Sequence, residues 1–248
     1  MKILCLDIET SPNTAFVWGL FKENIPLARL IESSRILCWA AKWYGSKEIL
    51  FDSVQKSSHK QLLKRIHSLL NEADVVVHYY GSAFDIPVLN REFIVEGFKP
   101  PAPYKQIDLC KVARSKFKFV SNKMEYVAKI LRVQHKIDHR GFEMWVKCME
   151  GDPQAWKEME VYNIGDVQTL EQVYERMLPW IPNHPHVGIY DDVPKSCPNC
   201  GGLSFQRRGT TIAHLLKYHR FQCKGCGKWV RGNKTISNRG EEKLVGIN

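Results

Sequence analysis

The sequence predicts an α/β protein: a sheet of mixed strand direction flanked by helices, followed by a small domain pinned by four cysteines. Three observations carry that reading. Residues 3–54 hold three short segments rich in β-branched, aromatic and aliphatic residues, with no helical period between them. From Ser57 onward, helical periods alternate with short apolar runs, the pattern that places helices on the faces of a sheet. Past Cys197, two CxxC pairs stand in a basic stretch. At 248 residues, the chain has room for one large domain and a small appendage.

The first strand runs through MKILC into LDIET. Arg35 to Tyr44 (RILCWAAKWY) and Glu48 to Val54 (EILFDSV), joined by a Gly45-Ser46-Lys47 turn, read as two antiparallel strands continuing the sheet from it. Ser57 to Asn71 places Leu62, Leu63, Ile66, Leu69 and Leu70 at helical spacing, with Ser57 or Ser58 as a cap. Asp74 to Tyr80 (DVVVHYY) is expected as a buried strand, Phe84 to Glu96 as a helix, and Gln106 to Leu109 as a short strand. Helices follow near Asn122 to Leu131, Phe142 to Met149 and Pro153 to Met177, where Pro153 suits a first helical turn. Pro179, Pro182 and Pro185 then break the pattern. The expected division is a large α/β domain over 1–182, a linker over 183–194 and a small domain over 195–248.

Composition is that of a globular protein, 44% hydrophobic and 25% charged, and no apolar run approaches the roughly 20 residues a membrane-spanning helix needs. The N-terminus turns acidic within ten residues, unlike a secretory signal, so a cytoplasmic protein without a membrane partner is expected. The net charge of +10 is uneven: from Asp191 onward, eleven Lys and Arg face four acids, leaving +7 there. A polyanion such as nucleic acid is the simplest partner for that excess, and a solvated basic surface is the alternative. Cys5, Cys38, Cys110 and Cys148 lie in apolar surroundings and read as buried thiols.

Asp7 and Glu9 stand two apart on a strand and so share one face. Two like charges at the rim of a core are costly unless a cation sits between them. Asp85 follows the expected buried strand, where Gly81 and Ser82 turn into a helix. Asp166 lies on the last long helix with Tyr162 four positions earlier, an offset of roughly 40° and about 6 Å, so both side chains share a face. Gly165 between them costs about 1 kcal/mol relative to Ala, tolerable where a close backbone approach is needed.

With a strand-borne DxE, a later FD and a helical YxxxD in this order, the first 180 or so residues resemble the DnaQ-like exonucleases. These form the DEDD family of the ribonuclease H-like fold, in the version whose third motif carries tyrosine. The resemblance implies that Asp7, Glu9, Asp85 and Asp166 hold two catalytic Mg²⁺ or Mn²⁺ ions and that Tyr162 orients the attacking water. It also implies 3′ to 5′ removal of nucleotides from DNA or RNA, single-stranded or bearing a free 3′ end. Tyr80 stands where the family often has Asn, and Asp108 resembles an additional acid expected to support the site rather than bind metal. His78 and His135 are alternative bases that a tyrosine-type site does not need. Cutting internally on the same fold, or a non-catalytic scaffold, are the competing readings, and a replication or repair protein is a possible partner.

Cys197, Cys200, Cys223 and Cys226 have the spacing of a closed, structural Zn²⁺ site, each CxxC followed by a glycine where the chain folds back. The segment resembles a zinc ribbon with a hairpin between the pairs, and one zinc ion would be its main stabiliser. His214 and His219 are expected as bystanders. Arg207, Arg208, Lys217, Arg220, Lys228, Trp229 and Arg231 interleave cations with aromatics, a composition suited to holding single strands.

Overall fold

The structure is a computed structural model that describes residues 1–133, 140–213 and 215–236 of the chain. Two compact units divide it, residues 2–175 and the chain from Arg176 onward together with Met1.

The first unit is built on strands β1 (Ile3–Thr10), β4 (Ile36–Trp43), β5 (Leu50–Ser53), β6 (Val75–His78) and β7 (Lys105–Asp108), in the sheet order β5-β4-β1-β6-β7. The three N-terminal strands pair antiparallel, as expected from the short Gly45 turn, while β6 and β7 run parallel to β1. Parallel neighbours need crossovers, and helices α1 (His59–Glu72) and α2 (Asp85–Val95) supply them. Between β1 and β4 the chain makes an excursion closed by a two-stranded ribbon, β2 (Thr14–Ala15) with β3 (Leu30–Glu32). Nothing periodic in residues 11–35 announced it. Beyond β7 come α3 (Leu109–Lys116), α4 (Met124–Leu131), α5 (Phe142–Met149) and the 25-residue α6 (Pro153–Met177). Helix α3 is also absent from the sequence expectations; Asp108 starts it by accepting the amides of Cys110 and Lys111.

Alternation along β1 sets the two faces. Leu4, Leu6 and Ile8 join Leu62, Leu63, Ile66 and Leu70 of α1 and Leu89 and Phe93 of α2 in one buried cluster. Each such side chain, fully buried, contributes about 1.5–3 kcal/mol. Asp7 and Glu9 point the other way, in register with Ala40 and Cys38 of β4. That second face is covered by Met144 and Cys148 of α5 and Ala155 and Met159 of α6, which pack with Cys38. Helix α1 begins with a capping box in which Ser58 and Gln61 each accept the other's backbone N–H. Cys5, Cys38, Cys110 and Cys148 are all buried, as expected for small apolar side chains.

The second unit holds a short 3₁₀ turn (Leu178–Trp180), the one-turn helix α7 (Val187–Tyr190) and a three-stranded antiparallel sheet. Its strands β8 (Phe205–Ala213), β9 (Leu216–Cys223) and β10 (Trp229–Thr235) lie in the order β10-β9-β8. Residues 183–194, read from the sequence as a linker, contain α7, and a Cβ on Gly188 would meet the Val193 carbonyl oxygen at 2.2 Å. Asn199 ties the first CxxC pair to the start of the unit, donating to the carbonyls of Leu178 (2.6 Å) and Ile181 (3.3 Å). No helix among the described residues is long and apolar enough to cross a membrane.

Candidate active site

Strand β1 delivers Asp7 and Glu9 to the face covered by α5 and α6, and α6 brings Asp166 against them. Carboxylate oxygens of the three lie within 4.8 Å of one another. Asp85, at the first turn of α2, is not within that radius of all three; it is 4% exposed and accepts the Ile8 amide at 3.2 Å. Its charge is nonetheless the first among the neighbours that raise the pKa of Asp7.

The electrostatics follow from crowding. Asp7 is pushed well above the usual carboxylate range by burial and then by the charges of Asp85, Asp166 and Glu9. Burial and the charge of Asp166 push Glu9 to about 8. Asp85 rises to about 7 through burial, partly opposed by backbone N–H donors, and Asp166 to about 6 through burial, opposed by the Tyr162 hydroxyl. Among the described residues, the main groups that perturb these four acids include other carboxylates and hydrogen-bond donors but no Lys or Arg. Buried acids crowded enough to hold their protons make a donor set fitted to hard divalent cations.

Two residues that sequence reasoning missed orient the acids. Asn163 is fully buried; its amide donates to Asp7 at 2.7 Å while its oxygen faces the Cys38 thiol at 3.7 Å. The Trp145 indole donates to Glu9 at 3.2 Å and meets the Tyr162 ring edge-on at 5.8 Å. Asn163 had a signal, since it stands three before Asp166 and shares its helix face. Trp145 had none, being 136 residues from its partner. Tyr162 donates to Asp166, and burial with the surrounding carboxylates raises its pKa above the ordinary phenol value.

Asp108 holds the turn after β6 by accepting the Tyr80 amide at 3.0 Å and the Ser82 hydroxyl at 2.6 Å. Tyr80 itself adopts a left-handed backbone (φ 67), which a β-carbon makes costly, with the Arg114 guanidinium 5.3 Å over its ring. His78 is fully buried, contacts Gln106 at 3.1 Å and has its pKa lowered by burial. His135 lies outside the described residues, as does His214.

In the second unit the four cysteine sulfurs gather within 4.8 Å of one another. The Cys197–Cys226 and Cys200–Cys223 separations are both 3.7 Å. That is too long for a disulfide and close to the edge of a tetrahedron with Zn–S bonds of about 2.3 Å. Gly201 (φ 72) and Gly227 (φ 85) follow the two pairs in the left-handed region, as the fold-back requires. His219 instead receives a hydrogen bond from Arg207 at 2.9 Å. Of the expected nucleic-acid contacts, Arg207, Arg208, Lys217, Arg220, Trp229 and Arg231 are exposed. Lys228 is half-buried and donates to the Ile181 carbonyl at 2.6 Å.

A mixed five-stranded sheet that collects acids beside a long helix is the architecture of the ribonuclease H-like fold. The chain belongs to the RNase H superfamily, whose family model matches residues 4–178. Among solved structures it is similar to the family B DNA polymerase from the hyperthermophilic archaeon Pyrobaculum calidifontis. The TM-score is 0.56 and the identity 16% over 72% of this chain, which spans 24% of the polymerase, so the likeness is one of fold. A search of curated proteins finds no match.

Proposed function

We propose that the chain is a two-metal 3′ to 5′ exonuclease acting on DNA or RNA, most readily on single strands or free 3′ ends. The convergence of Asp7, Glu9 and Asp166 carboxylates within 4.8 Å of one another carries this reading. Together with Asp85 they would hold two Mg²⁺ or Mn²⁺ ions, which acidify water and stabilise negative charge on the attacking and leaving oxygens of a phosphodiester. The protein's own part is to fix those acids and to place the water. Asn163 and Trp145 each occupy one oxygen of Asp7 and Glu9 and so limit how the carboxylates turn. Tyr162, its pKa raised, stays a neutral phenol at working pH and acts as a hydrogen-bonding guide rather than a base. The direction of digestion rests on the resemblance of the three motifs to the DnaQ-like family. One zinc ion held by Cys197, Cys200, Cys223 and Cys226 would be structural.

The test is digestion of matched DNA and RNA strands labelled at either end, with Mg²⁺ or Mn²⁺. Stepwise shortening from the 3′ end, lost in Asp7→Asn with nucleic-acid binding retained, is the expected result. Cleavage of circular strands would replace the exonuclease reading with an endonuclease one. A wild-type protein inert with both metals would leave a scaffold.

A further inference from the structure

Antiparallel registers place directly opposed residues on the same side of a sheet. Arg231 of β10 lies opposite Arg220 of β9, and Trp229 lies opposite Gln222, so all four share a face with Tyr218. On that face the Arg220 guanidinium stands 4.8 Å over the Trp229 ring and the Arg231 guanidinium 4.2 Å over Tyr218. Phe221 faces the other way, opposite Val230 and Arg207, and meets Phe205 edge-on at 6.5 Å. Of the sequence candidates, Arg220, Trp229 and Arg231 thus lie on one side of the sheet and Arg207 on the other.

Two features of the Arg220 face call for an anion. Like charges directly opposite one another in a sheet are destabilising, and Arg220 and Arg231 are such a pair. The sequence from Val193 to Gly240 contains no Asp or Glu that could neutralise them. Both guanidiniums are also held in place, Arg220 by the Arg208 carbonyl at 3.0 Å and Arg231 by the Gly232 carbonyl at 3.2 Å. Beside them Trp229 is 48% exposed and offers a flat apolar ring. Fixed cations beside a half-exposed aromatic ring, one face of which carries Arg220, match a polymer that has both phosphates and uncovered base faces.

We propose that the face carrying Arg220, Trp229 and Arg231 is a docking platform for single-stranded nucleic acid, and that the Arg207 face is not. The proposal rests on the nuclease reading only for the class of polymer, and binding can be measured without cleavage. The full-length, zinc-loaded chain carrying Asp7→Asn is titrated with labelled single strands of DNA and of RNA, with a duplex of equal length, and with polyglutamate.

Single strands of one or both sugars are expected to bind more tightly than the duplex or polyglutamate. Trp229→Ala should weaken single-strand binding about tenfold, and Trp229→Phe should restore most of it. Arg220→Gln with Arg231→Gln should flatten the dependence of log affinity on log salt by about 1.4. Arg207→Gln should leave affinity within about twofold. Zinc content and thermal melting of each variant confirm that the sheet is intact. Equal binding of duplex or polyglutamate, or unchanged binding in the Trp229 and double arginine variants, overturns the platform and leaves the nuclease reading standing. Face-dependent binding by a wild-type chain that never cleaves does the reverse.

Discussion

Asn163 is uncharged and hidden from solvent, yet it determines how Asp7 presents its oxygens. Asn163→Ala removes that donor and leaves Asp7 free to rotate. The Mn²⁺ concentration needed for half-maximal cleavage should rise about 10- to 100-fold, with a smaller change in rate at saturating metal. Trp145→Phe tests the same idea at Glu9, since it keeps an aromatic ring and deletes only the N–H. The acids also set a pH dependence with a definite sign. Glu9 moves from an ordinary 4.5 to about 8, Asp85 from 3.8 to about 7 and Asp166 from 3.8 to about 6. Between those limits the folded state keeps protons that the unfolded chain has released, so these groups lower stability as pH rises from about 4 to about 8. Thermal melts in chelator should therefore show a fall in Tm across this window that is shallower in Glu9→Gln. Added Mn²⁺, which binds the deprotonated acids, should oppose the fall, with the largest stabilisation at the alkaline end. A Tm that climbs with pH in chelator, equally in wild type and Glu9→Gln, would contradict the crowding described for these acids.

Helix α6 and strand β1 divide the work of the site. The strand places Asp7 and Glu9 by its twofold alternation, and the helix places Tyr162, Asn163 and Asp166 on one stripe by its three- and four-residue spacings. Helix α1 has a different task, burying Leu62, Leu63, Ile66 and Leu70 against the face of β1 opposite to the acids. Its capping box is accordingly a stability element only. Ser58→Ala should cost about 1 kcal/mol in urea unfolding while leaving metal-dependent cleavage unchanged. Loss of activity at 25 °C without loss of fold would show that α1 is coupled to the acids after all.

Two compact units with different sources of stability make up the chain. Among the described residues, the unit over 2–175 has apolar clusters on both faces of the five-stranded sheet. The smaller unit leaves Leu203, Ile212 and Trp229 exposed, at 69%, 71% and 48%. With so little buried there, the four-cysteine site is expected to hold its sheet together. Treatment with a thiol-reactive mercurial should release one zinc per chain and make the segment around Phe205–Thr235 sensitive to protease. The melt of the larger unit should persist. Protease resistance retained after zinc release would refute a structural role for the metal.

Elements with a strong local pattern were legible in the amino-acid order: the strand ending in LDIET, the capped α1, the Pro153 start of α6 and the two cysteine pairs. Each depends on contacts within a few residues, where chain geometry alone dictates which side chains share a face. The β2–β3 excursion and α3 were not legible, because one has no period and the other starts on Asp108, whose capping contacts show only once the chain is folded. The same divide runs through the candidate site. Its acids could be named from short motifs, but Trp145 and Asn163 meet Glu9 and Asp7 across 136 and 156 residues. Such meetings are settled by how helices pack on a sheet, where burial and shape over the whole domain choose the neighbours: the three-residue offset from Asp166 gives Asn163 its helix face but not its partner, and nothing local marks Trp145.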